Sequence, residues 1–200
     1  TTTDELIPSG ETSSYRSNPE RLSEFALSRR DPQYVGRSKV MRQIERDREG
    51  GKALPEEVLN VYAALTKAGV KNDPAHTDIG STIFANMPGD GSAREQAASC
   101  QRVMGASANF AKQYATKRYR SNCINWGILP FTLDAGTSFD YAPGDCVFVP
   151  GIRQAIENGI EDIPARVIRT DGAVEDLMLH VKGLTDDEKE IILDGCLMNY

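Results

Sequence analysis

One stretch, Gly89-Asp90-Gly91-Ser92-Ala93-Arg94-Glu95-Gln96, sets a serine hydroxyl and a guanidinium where a glycine turn gives way to a helix-forming run. A helix N-terminus carries unpaired amides and roughly half a positive charge, and it stabilises an anion placed there. Arg94 adds a full charge. A serine is a poor base at neutral pH. To take a proton from carbon it must first lose its own, so its anion needs that kind of support. The plain alternative is a capping box, in which Ser92 accepts from the amide three residues on and Glu95 reaches back. Local sequence favours the cap. The two roles are compatible, because a site that caps a helix also stabilises an oxyanion.

Two further groups could bind an anion. Arg16, in Ser13-Ser14-Tyr15-Arg16-Ser17-Asn18, is either an exposed arginine before a helix or a bidentate clamp for a carboxylate. Lys117-Arg118-Tyr119-Arg120 is either a solvated helix face or a contact for RNA or another polyanion. The only histidines, His76 and His180, stand far from the serine in sequence, and no Gly-x-Ser-x-Gly turn is present. A Ser-His-Asp hydrolase is therefore unsupported. Cys100, Cys123, Cys146 and Cys196 are scattered, without a CxxC pair or metal-ligand spacing.

These groups need a scaffold, and the chain signals one. Asn18-Pro19-Glu20 reads as a cap, a proline at the first helical position and an acidic first turn, with Leu22, Phe25, Ala26 and Arg29 following at helical spacing. A second helix follows Asp31-Pro32, with Val40, Met41 and Ile44 on one face, and stops at Gly50-Gly51. A third spans 55–67, with Val58, Leu59, Tyr62 and Leu65 inward. From residue 76 the pattern changes. Strands are predicted over 81–85, 106–112, 128–133, 145–149, 165–170 and 174–181, with helices over 93–104, 117–126 and 186–193. The expectation is one α/β domain over 1–200, with a loop and helical segment over 1–70 and a core over 71–200.

Bulk properties narrow the class. The chain has 200 residues, 40% hydrophobic and 26% charged, enough to bury a core without staples. A net charge of −6 argues against a broad nucleic-acid footprint. No apolar run approaches the roughly 18 residues of a membrane span. So few cysteines suit reduced thiols and a cytoplasmic location. An opening at Thr1, without an initiator methionine, reads as a piece of a longer polypeptide.

Four motifs then fall in collinear order. Thr3-Asp4-Glu5-Leu6-Ile7-Pro8-Ser9-Gly10 with Arg16 resembles the opening of the C-terminal swivelling domain of the aconitase family. Gly91-Ser92-Ala93-Arg94-Glu95 resembles that family's Gly-Ser-Ser-Arg-Glu loop. Arg118 to Asn122 with Gly127-Ile128-Leu129-Pro130 resembles the following helix and strand start. Gly195-Cys196-Leu197-Met198-Asn199 is similar to the Gly-Ser-x-Leu-Asn tail. The insert around Tyr15-Arg16-Ser17-Asn18-Pro19 looks most like the bacterial aconitase-like hydratases.

The resemblance implies a three-layer β/β/α swivelling domain with a small mixed-sheet barrel and an N-terminal helical extension. It implies that Ser92 removes the proton from carbon and that Arg16 and Arg94 bind substrate carboxylates. The reaction would be reversible dehydration and hydration of a hydroxy-tricarboxylate. A 4Fe-4S iron–sulfur cluster is expected in other domains or a large subunit, with none in this chain, and the isolated domain is expected to be inactive. Ala93 departs from the family's second serine; its amide remains available to substrate, and the lost hydroxyl bears on which hydroxy-acid is used. Two alternatives remain: an RNA-binding module of a cluster-free relative, and an inactive structural remnant.

Overall fold

The computed structural model describes residues 1–10 and 12–199; Glu11 and Tyr200, within the expected 1–200 domain, lie outside the described residues. From Ser81 the chain alternates strand and helix: β1 (Ser81–Ala85), α5 (Arg94–Val103), β2 (Ala106–Ala111), α6 (Lys117–Asn125) and β3 (Leu129–Thr132). Four shorter or longer helices precede them: α1 (Thr3–Leu6), α2 (Pro19–Ser23), α3 (Tyr34–Glu49) and α4 (Glu56–Lys67). The chain closes with β4 (Cys146–Phe148), α7 (Ile152–Glu157), β5 (Asp162–Ile168), β6 (Val174–His180) and α8 (Asp186–Asp194).

The six strands make one mixed sheet in the order β1-β2-β3-β6-β5-β4. The first three run parallel, each joined to the next through a helix, as parallel pairing requires. The last three pair antiparallel. Where the halves meet, the backbone ladder between β3 and β6 shrinks to one registered pair, Thr132 with His180.

Side chains alternate across the sheet, so each strand feeds two layers. On β2, Asn109 faces the helices α5 and α6, whereas the neighbouring Phe110 joins the apolar cluster of Phe131, Ile163, Val167 and Leu179. Leu6, Ile7, Leu22 and Ala26 of the N-terminal segment share a second buried cluster with Ala97, Ala98, Tyr119 and Cys123. A third cluster seats Tyr62 and Leu65 of α4 against Phe148 and Ile168. The result is the expected α/β architecture, a curled mixed sheet carrying an N-terminal helical extension.

Several boundaries differ from the sequence expectation, each for a local reason. The first long helix stops at Ser23, and the chain then turns through Leu27 at φ 55° so that the Leu27 amide donates to the Leu6 carbonyl at 2.8 Å. Leu59, expected to face inward, is 49% exposed, and Val40, expected on one face with Met41 and Ile44, is 58% exposed, because α3 and α4 present narrower buried stripes than their apolar spacing suggested. Strand β5 starts at Asp162 and runs through Pro164, upstream of the expected 165. Its pairing with β4 covers only residues 166–168, so Pro164 stands where a missing amide costs no ladder bond on that side. Helix α7, capped by Gly151 at φ 64°, was not anticipated; its six residues are too few to show a period.

The tail locks onto the site-bearing half. Gly127 ends α6 at φ +73°, and a Cβ there would lie 1.8 Å from the Gly195 carbonyl oxygen. Gly127→Ala is therefore expected to lower stability by about 3 kcal/mol, combining the left-handed strain with the collision. Urea denaturation with an unchanged slope checks this.

Candidate functional site

The Gly89–Arg94 loop follows β1 at the carboxyl end of the three parallel strands. Neighbouring loops hold it in place: the Lys112 and Gln113 amides donate to the Asn86 carbonyl at 3.2 and 3.1 Å, and the Ala115 amide donates to the Pro88 carbonyl at 2.9 Å. From the other side, the Gly89 amide donates to the Thr1 carbonyl at 2.9 Å and the Thr3 amide to the Asp90 carbonyl at 2.6 Å. Gly91 sits at φ +129° against the Thr3 hydroxyl, where any Cβ would meet that oxygen at 2.2 Å. Glycine is required there for both conformation and space.

This clamp shifts the helix start by one residue. The cap of α5 is Ala93, not Ser92, and it offers no side-chain acceptor. The expected capping box is therefore absent. Glu95, which would have completed it, instead accepts from Trp126 Nε1 at 3.0 Å. Ser92 is left exposed, and its hydroxyl makes no hydrogen bond among the described residues. The first-turn amides of α5 are equally uncommitted to any side chain, so the positive end of the helix stays open to an anion.

Arg94 lies at the first helical position, half-buried, with no acidic partner among the described residues. Its Nε is buried without a hydrogen-bond partner. Such an orphaned donor is costly unless something arrives to accept from it. Ala93 turns its methyl into the cluster of Leu22, Ala97 and Tyr119, so its backbone rather than its side chain borders the loop.

Arg16 is exposed and unpaired among the described residues, and no hydrogen bond or ion pair joins it to the loop. Its segment is nevertheless fixed to the same helix. Tyr15 stacks on Phe25 at 5.6 Å, the Arg21 guanidinium lies 4.6 Å from the Tyr15 ring centroid, and Leu22 and Ala26 join Ala97 and Ala98 of α5 in one buried cluster. The basic cluster on α6 is weaker than its sequence suggests. Arg120 pairs with Glu188 at 3.2 Å and donates to the Lys182 carbonyl at 2.8 Å, which leaves Lys117 and Arg118 exposed.

No local signal in the chain marks the polar group beneath the loop. Tyr119, fully buried, donates from its hydroxyl to Gln101 Oε1 at 3.2 Å and accepts from Asn109 Nδ2 at 3.3 Å. Its position in a basic run disguised it.

The thiols do not form a metal site. No cluster of three or more His, Cys, Asp or Glu side chains suited to a metal occurs among the described residues. Burial pushes the Cys100 and Cys123 thiols up to about 12, so both stay protonated at neutral pH. Alkylation at pH 8 is expected to spare Cys100 and Cys123 in the native protein and to label them after unfolding, as peptide mass spectrometry would show. Because their native values lie above the ordinary 9.0, stability is expected to fall as pH rises from 9.0 toward about 12. No helix among the described residues is long and apolar enough to cross a membrane.

The family described as the Aconitase C-terminal domain matches residues 71–136, which hold the loop, α5, α6 and the three parallel strands. Aconitate hydratase A of Bradyrhizobium diazoefficiens is 26% identical over 163 residues, covering 76% of this chain. The chain spans only 17% of that relative's length. Among solved structures, a 3-isopropylmalate dehydratase from Methanocaldococcus jannaschii superposes with a TM-score of 0.51 at 21% identity, covering 100% of this chain and 84% of the other. That likeness establishes the fold, and the first two matches place the serine loop inside the region shared with the family. Residues 71–136 are thus similar to the Aconitase C-terminal domain, and the chain as a whole shares its fold with the dehydratase.

Proposed function

We propose that this domain supplies the proton-transfer base and the carboxylate clamps of an aconitase-like hydro-lyase acting on a hydroxy-tricarboxylate. One observation carries the reading. The Ser92 hydroxyl is exposed and uncommitted at the uncapped start of α5, beside an arginine whose Nε is buried without a partner.

The chemistry follows from that placement. Arg94 and Arg16 bind carboxylates of the substrate, charge-assisted and able to bond in a fork. Ser92, as its alkoxide, removes the proton from the carbon next to the departing hydroxyl. The open amides of α5 and the Arg94 charge stabilise that alkoxide and lower the cost of forming it. The Ala93 amide remains available to a substrate carboxylate at the same helix end.

The residues of this chain do not fit a resident cluster, since the buried thiols are held protonated and no ligand group is assembled among the described residues. On this reading the 4Fe-4S cluster belongs to cluster-binding domains or a large subunit that this domain closes over. The 1–200 span then acts as one domain within that assembly. The chain alone is expected to show no turnover of citrate or cis-aconitate, whereas the full-length protein with its cluster does. Turnover by the isolated chain would overturn the reading.

A further inference from the structure

We propose that Tyr119 is a positioning residue for Ser92, its buried ring forming the floor on which the Gly89 turn rests. The inference rests on the hydro-lyase reading for its kinetic consequences, but the geometry stands independently of it.

The Gly89 turn packs directly against the Tyr119 side chain, at its Cβ, Cγ and Cδ1. A Cβ added at Gly89, which sits at φ +99°, would lie 2.3 Å from both Cγ and Cδ1 of Tyr119. Only a residue without a side chain brings the backbone so close to a tyrosine side chain. Gly91 is pressed against Thr3 in the same manner, so the two glycines on either side of Asp90 meet rigid neighbours. Ser92 follows directly. The turn cannot drop without displacing the ring.

The ring itself cannot move freely. Tyr119 is in the first turn of α6, where its amide donates to the Thr116 hydroxyl at 3.1 Å. Its own hydroxyl reaches Gln101 on α5 at 3.2 Å and Asn109 on β2 at 3.3 Å, and Asn109 Nδ2 also donates to Gln101 Oε1 at 3.1 Å. Burial raises the phenol well above its ordinary value, which keeps the hydroxyl a donor to Gln101. One side chain thus ties the turn before Ser92 to the helix after it and to the central parallel strand. A displacement of about 1 Å at a reacting group can cost about a hundredfold in rate.

The test compares three variants of the full-length enzyme. Tyr119→Leu removes floor and tie, Tyr119→Phe removes the tie alone, and Phe131→Leu empties an equally buried position in the apolar cluster on the other face of the sheet. Tyr119→Leu is expected to lower kcat by about tenfold or more with KM within about threefold, and to enlarge the isotope effect on a substrate deuterated at the abstracted position. Tyr119→Phe should do the same more mildly, and it decides the matter if Tyr119→Leu does not fold. Phe131→Leu should lose thermal stability while keeping kcat and the isotope effect. If the Tyr119 variants behave like Phe131→Leu, the proposal is wrong. If the unaltered enzyme turns over no hydroxy-acid, the hydro-lyase reading fails, and amide hydrogen exchange over residues 86–92 decides this inference alone. Faster exchange in the Tyr119 variants than in Phe131→Leu upholds it, and equal exchange overturns it.

Discussion

On the proposed hydro-lyase reading, Ser92→Ala in the full-length protein is expected to lower kcat by about 10²- to 10⁴-fold, the usual range for losing a positioned base. KM should change little, because in that reading the hydroxyl acts on a C–H bond and not on the groups that anchor the substrate. Stability should stay within about 0.5 kcal/mol of the parent, as for an exposed side chain without partners. That last expectation separates two roles the sequence left entangled. Were Ser92 the cap of α5, the same change would cost about 0.5–2 kcal/mol. In the structure the cap is Ala93, with no side-chain bond to lose. Steady-state kinetics and a denaturation curve on one protein preparation therefore test both. A large stability loss with intact turnover would return the serine to a structural role.

Arg94→Lys should produce the second-largest effect. Lysine keeps the charge but loses the planar fork that grips a carboxylate. Loss of one charge-assisted bond predicts a fall in kcat/KM of roughly 10- to 150-fold, equivalent to about 1.5–3 kcal/mol. The direction of the stability change is the sharper diagnostic. Arg94 Nε is buried without a partner, a cost to the folded state that lysine, lacking that atom, does not carry. The variant should be as stable as the parent or more so. A binding residue held ready at the expense of stability behaves this way, and a structural one does not. A destabilised variant with unaltered kcat/KM would remove Arg94 from the site.

Much of this was legible in the residues. The alternation through β1, α5, β2, α6 and β3 follows from short apolar runs separated by glycine stops, and Gly127 and Gly195 end their helices at φ 73° and 93°. Asn18 caps α2 through Oδ1 to the Arg21 amide at 3.1 Å, as its type and the following proline suggest. What escaped depends on distant parts of the chain. The cap moved to Ala93 because Thr3 holds Asp90 and Gly91, a contact that no local window contains. Tyr119 looked like part of a basic face because its role is set by Gly89 and by Gln101, both remote from it in sequence. Ser92 and Arg94 could be read together as candidates because loop and helix start are contiguous in sequence. Arg16 stood open between an exposed arginine and a carboxylate clamp until the resemblance favoured the clamp, and its link to the loop runs through the apolar packing of α2 on α5.

The joint between the two halves of the sheet has a thermal consequence. β3 and β6 share a single registered pair, so within the sheet the halves adhere through the cluster of Phe110, Phe131, Ile163, Val167 and Leu179. Hydrophobic attraction weakens on cooling. Cold thus loosens the seam before it loosens either ladder, and the antiparallel half, which carries none of Arg16, Ser92, Ala93 or Arg94, gains freedom while the serine loop keeps its shape.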